Sequence, residues 1–167
     1  MRGVAADASR PAPHVLALSF ALDGHLGRLR IPAPDRPRRG ERLWEHTCFE
    51  AFVAPVDGAG YHELNLAPSG AWAVHAFAGY RDGGPLADEG LAPRITADRT
   101  AERLALDAVV DLGRLGSSYA SAGLRVALAA VVEAADGTRS YWALRHPPGR
   151  PDFHHADGFA LVLDRPA

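Results

Sequence analysis

The sequence predicts an all-β fold, a single antiparallel β-sandwich. Three observations carry the prediction. Short runs of alternating apolar and polar residues recur along the whole chain. Gly, Pro and Asp clusters separate those runs. Residues 112–122 form the one stretch with room for a helix, and Gly113, Gly116 and several serines weaken it. Many short strands with turns between them fit a sandwich better than a parallel α/β fold.

The elements follow in order. Residues 1–12 read as a flexible, frayed N-terminal segment, and the domain proper runs from 13 to 167. Residues 14–22 alternate, with Leu16, Leu18, Phe20 and Leu22 on one face. Asp23-Gly24 is a turn, and residues 26–31 return as a strand. A Pro/Arg loop over 32–40 cannot join a central strand. Strands are then expected at 43–54, 61–66 and 71–78. A Gly/Asp/Pro-rich loop covers 80–93. Strands resume at 94–98, 103–111, 124–134, 138–145 and 159–163.

Composition narrows the function. The 167 residues suit one domain with its own core. The net charge of -2 and the scatter of arginines give no footprint for nucleic acid. No apolar stretch approaches a membrane span, and the first residues lack an apolar signal region, so the expectation is a cytoplasmic protein. One cysteine, Cys48, permits no internal disulfide.

The stretch LWEHTCFEAF, from Leu43 to Phe52, carries two unlike faces. Thr47, Phe49, Ala51 and Val53 read as core, and Trp44, His46, Cys48 and Glu50 as the opposite face. A symmetric turn at Ala67-Pro68-Ser69-Gly70 sets Leu66 against Ala71, Asn65 against Trp72 and His62 against His75. In that register Phe49, Leu64, Leu66 and Phe77 share the core. Trp44, His46, Glu50, Glu63, Asn65 and Trp72 share the outer face. Flat aromatic rings beside carboxylates and an amide suit a sugar, with its apolar C–H face and hydroxyl edges. In the later hairpin, a turn at Asp136-Gly137 puts Trp142 opposite Ala130, inside the core. Arg145, and Asp152 and His154 from the segment RHPPGRPDFHHADGF, complete the candidate ligand set at the rim of that groove.

The motifs LWEHTCFEAFVAP, YHELNLAPSGAWAVHAFAGYRDG and WALRHPPGRPDFHHADGF resemble bacterial DOMON-like proteins, which are similar to family 9 carbohydrate-binding modules. The resemblance spans most of the chain from His14 to Leu163. It implies a jelly-roll-type β-sandwich that binds sugars or haem. In the family's strand motif, Glu50 falls on an acidic position, and Tyr61, Glu63, Pro68 and Gly70 match the next strand and turn.

The expected function is therefore non-catalytic binding of a small carbohydrate-like ligand, with no cofactor required and the protein partner unspecified. Two other chemistries stay open. Non-covalent binding of haem b would need axial donors from His46, His62, His75, His146, His154 or His155, because the only Met is Met1. A carboxylate-based carbohydrate-active enzyme would use Glu50 and Glu63.

Overall fold

The computed structural model describes residues 1–166. Two sheets face each other, as the alternation requires. The smaller sheet has four strands in the order β1-β2-β9-β8. These are β1 (Gly3–Ala12), β2 (Val15–Asp23), β8 (Arg94–Arg99) and β9 (Arg103–Asp111). The larger sheet runs β11-β10-β4-β5-β6-β3. It comprises β3 (Arg38–Arg39), β4 (Cys48–Pro55), β5 (Tyr61–Leu66), β6 (Ala71–Gly79), β10 (Leu124–Glu133) and β11 (Arg139–Ala143). Two short strands finish its edges: β7 (Asp82–Pro85) pairs with β6, and β12 (Leu161–Leu163) pairs with β10. Helices α1 (Leu112–Leu115) and α2 (Ser117–Ser121) occupy the stretch where the sequence left room for one. No helix among the described residues is long and apolar enough to cross a membrane.

The core is the space between the sheets. Leu16, Leu18, Phe20 and Leu22 meet Phe49, Ala51, Val53, Leu64 and Leu66 there, with Leu104, Leu106, Leu124, Val126 and Leu128. Phe20 stacks on Phe49 with ring centroids 4.9 Å apart. This is the inner face expected for β2 and β4. Trp142 pairs with Ala130 as expected and packs, partly buried, against the same core.

Three expectations fail, each for a physical reason. Residues 3–12 are not frayed: β1 pairs with β2 from Gly3 to Ala12, and Val4, Ala6 and Ala8 turn inward against the core. Their small side chains gave only a faint alternation. The strand expected at 26–31 is a short 3-10 turn, Leu26–Arg28, tied to the larger sheet by a single bridge from Leu29 to Ala134. The third failure is the β5–β6 register. Leu66 pairs with Trp72, not Ala71, and Glu63 pairs with His75. The Ala67 N–H donates to the Ala71 carbonyl, so the loop holds one residue more than a symmetric four-residue turn. Gly70 makes this feasible by taking a φ of 93°, a conformation that suits glycine. A slip of one residue exchanges the two faces of a strand. Trp72 and Val74 thus enter the core, while His75 and Phe77 move to the outer face.

Candidate functional site

The outer face of the larger sheet is not a wet surface. Phe52, Ala54, Tyr61 and Ala127 form a second buried cluster there, joined by Phe77, Phe153 and Phe159. The cover is the segment between β11 and β12, which both pair along one edge of β10 and leave the connecting chain to cross the sheet. Phe153 and Phe159 seat that segment on the sheet, as an apolar plug should.

A pocket of about 390 Å³ stays open beside the plug. Glu50 of β4 and Glu63 of β5 lie at its floor. His75 and Phe77 come from β6, and Tyr141 from β11. Trp44 stands at the rim on the 3-10 turn Leu43–Glu45, with its ring edge-on to His75 at 5.6 Å. Asp152, Phe153 and His154 of the crossing segment close the far side.

A clamp holds that far side in place. Arg81 sits in the tight turn between β6 and β7 with a φ of 56°, left-handed backbone that a side chain adopts at a cost of about 1 kcal/mol or more. Its guanidinium donates to Asp152 at 2.8 Å, and its backbone N–H donates to the Tyr61 hydroxyl at 3.1 Å. The Tyr80 hydroxyl donates to the same carboxylate. Burial works against the Asp152 charge, but the bonds from Tyr80 and Arg81 outweigh it and hold the carboxyl below its ordinary range.

The remaining polar groups lie in a row from Tyr61 through His154 to Glu63. Tyr61 and His154 Nδ1 lie 2.8 Å apart, and His154 Nε2 is 3.4 Å from Glu63 Oε2. Burial, and then the nearby Arg81 charge, push His154 down to about 4, so its ring is neutral at neutral pH. A neutral ring that accepts from Tyr61 at Nδ1 carries its proton on Nε2, facing Glu63. Asn65 Nδ2 donates to the other Glu63 oxygen at 2.8 Å. Burial still raises Glu63 above the usual carboxylate range, although Asn65 and Arg81 oppose it.

Glu50 differs from Glu63. It is only 3% exposed, and among the described residues no protein donor satisfies its carboxyl. Burial, and then the neighbouring Glu63, drive it well above the ordinary range. The Glu50 carboxyl is thus left facing the pocket without a protein partner. His75 Nδ1 is buried without a partner.

Five of the nine residues expected from sequence line this pocket: Trp44, Glu50, Glu63, Asp152 and His154. Asn65 is fully buried behind Glu63 and orients it rather than facing the opening. Three expectations are corrected. Trp72 is 1% exposed in the core. His46 pairs with Glu133 at 2.8 Å, away from the pocket, because the strand begins at Cys48 and residues 43–45 coil back. Arg145 is exposed and outside the lining. Sequence reasoning missed His75, Phe77 and Arg81. A usable signal existed: placing bulky Trp72 and Val74 beside Leu64 and Leu66 sets His75 beside Glu63.

The fold can be compared with solved structures. A candidate carbohydrate-binding protein from Bacteroides uniformis superposes with a TM-score of 0.68 at 17% identity, over 98% of this chain and 78% of that one. A family 9 carbohydrate-binding module from Caldicellulosiruptor kristjanssonii, solved with glucose, superposes with a TM-score of 0.58 at 8% identity, over 99% of this chain and 78% of that one. The chain has a family 9 module-like fold. Both likenesses speak for that fold and not for the DOMON class in particular. No protein-family model and no curated protein matches the chain.

His75 and His154 are the histidines lining the pocket. His154 Nδ1 is bonded to Tyr61, and its Nε2 lies 3.4 Å from Glu63. His62, expected opposite His75, instead pairs with Ala76 and bonds the Tyr119 hydroxyl at 2.7 Å on the inner side. The facing His62–His75 pair expected from sequence is not formed. Among the described residues no group of three or more His, Cys, Asp or Glu forms a metal set.

Proposed function

We propose that the protein binds a small sugar-like ligand, without catalysis, in the pocket between Trp44, the Glu50–Glu63 floor and the crossing segment. One observation carries the reading. Glu50 is buried, faces a pocket with aromatic walls, and has no protein donor. The Glu50 carboxyl opens on the pocket, where a ligand hydroxyl or other donor can bond it in place of water. Trp44 and Tyr141 offer ring surface for the C–H face of a pyranose. The family 9-like fold supports the same reading, since one neighbour was solved with glucose.

The test is a titration of tryptophan fluorescence with a panel of monosaccharides and disaccharides. Saturable change is expected in the wild type and is expected to vanish in Trp44→Phe, which removes the one indole at the pocket rim. A saturable response that survives in Trp44→Phe would place binding elsewhere.

A second reading, carboxylate catalysis, has one observation in its favour. Two acids of unequal environment share a floor, Glu50 without a protein donor and Glu63 bonded by Asn65. Release of nitrophenol from a nitrophenyl glycoside panel, lost in Glu50→Gln, would favour the enzyme over the binding domain.

A further inference from the structure

The charges that face the pocket do not balance. Its acids are Glu50, Glu63 and Asp152, and its one permanent cation is Arg81. Arg81 is spent on Asp152, at 2.8 Å. His75 and His154 are neutral, because burial lowers both. Cys48, behind Glu50 on the same strand, is buried with its thiol pushed up and supplies no charge. Tyr141 faces the pocket from β11. Glu50 therefore has no countercharge, and Glu63 only the Arg81 charge already engaged by Asp152.

Their placement is also specific. Glu50 pairs with Asn65, and Glu63 with Phe52, so the two acids are diagonal neighbours on one face of adjacent strands. Backbones at such positions lie about 7–8 Å apart, a span that one small group between the carboxyls can bridge. Neutral hydroxyls could bond there, but only a cation would favour both carboxyls in their ionised form. Aromatic rings surround the same space: Trp44, Phe77, Tyr141 and Phe153. Ring faces attract cations. An acid pair framed by aromatic rings is the chemistry of an ammonium site.

We propose that the ligand carries a primary ammonium group, seated between Glu50 and Glu63, and that its class is the amino sugars with a free amine. This rests on the sugar-binding reading above and narrows it. The ring would lie against the Trp44 side, and the amine would supply the donors that Glu50 lacks. Anionic sugars are disfavoured, because their charge would oppose ionisation of both acids. Binding is coupled to a proton. The amine stays as its ammonium, and Glu50 passes from carboxylic acid to carboxylate and gives its proton to the buffer.

The experiment is calorimetric titration of the full chain at about pH 6, where ordinary amines are charged. The probes are D-glucosamine, D-glucose and N-acetyl-D-glucosamine, each in two buffers of different ionisation enthalpy, neither of them a primary amine. Glucosamine is expected to bind about tenfold more tightly than the other two, or better. Its apparent enthalpy should change with the buffer, reporting proton release, and the enthalpies of the neutral sugars should not. Glu50→Gln should bring glucosamine down to the level of glucose. The acetylated probe makes the same comparison in unaltered protein, so the result stands even if the variant fails to fold. Equal binding of all three would overturn the ammonium proposal and keep the sugar reading. Binding of none would overturn both.

Discussion

Trp72→Ala and Trp44→Ala separate the core from the site. Trp72 is 1% exposed among Leu64, Leu66 and Val74, and Trp44 is 38% exposed at the rim of the pocket. Removing a buried Trp side chain costs about 3–5 kcal/mol, through lost burial and the cavity left behind. A domain of this size loses roughly 2–4 °C of Tm per kcal/mol. The core variant should therefore melt roughly 6–20 °C below the wild type. It should keep whatever ligand response the folded protein shows. The rim variant loses mainly its edge contact with His75, a surface change worth about 0.5–1 kcal/mol. Its Tm should move by only a few degrees, and its ligand response should disappear. Differential scanning calorimetry and ligand titration of the two variants decide the matter. A Trp72→Ala protein of near-normal Tm that no longer responds to ligand would refute the Leu66–Trp72 register and the site built on it.

Three further outcomes follow from the same geometry. Burial raises Glu50, so its folded form favours the acid; that contribution to stability is full below the ordinary carboxyl range and is lost as pH rises. Glu50→Gln should therefore melt higher than the wild type at neutral pH and converge with it near pH 4 in a calorimetric pH series; parallel curves would contradict this. His154, held down to about 4, contributes stability that is present above about 6.5 and lost as pH falls toward 4. Its imidazole nitrogens, followed by NMR, should keep the neutral pattern at pH 5, and titration near 6.5 would show the ring to be solvated. Arg81→Gly should keep the left-handed turn but release Asp152, so amides of residues 146–158 should exchange faster with little change in Tm; unchanged exchange would mean the clamp does not hold the segment.

How much of this was legible depended on what each residue had to choose between. The alternation of Phe49, Ala51 and Val53 against Cys48, Glu50 and Phe52 has only one way to bury its larger apolar set. The sheet and its core followed from that. Glu50 and Glu63 were placed on a common face because β4 and β5 pair as the pattern required. The faces of β6 were not legible in the same way. They turn on one residue of loop length and on the φ of Gly70, which a symmetric-turn assumption erases. Trp44 reached the pocket by a route other than the one expected, from a coiled turn instead of a strand. The clamp of Arg81 on Asp152 joins residues 71 positions apart, and no local pattern announces such a contact. Strand β1 was hidden because Val4, Ala6 and Ala8 bury little area each, and pairing with β2 supplies what their side chains do not.

The most direct test of the central claim is a two-dimensional proton–nitrogen NMR titration that follows the three indole N–H signals, with glucose and glucosamine as probes. Trp44 is at the pocket rim, Trp72 is in the core, and Trp142 lies on β11 with its indole donating to Ser140 at 3.0 Å. The account predicts a saturable shift of the Trp44 signal with at least one of the two sugars, while those of Trp72 and Trp142 stay in place. A shift centred on Trp142, or no saturable shift with either sugar, would contradict it.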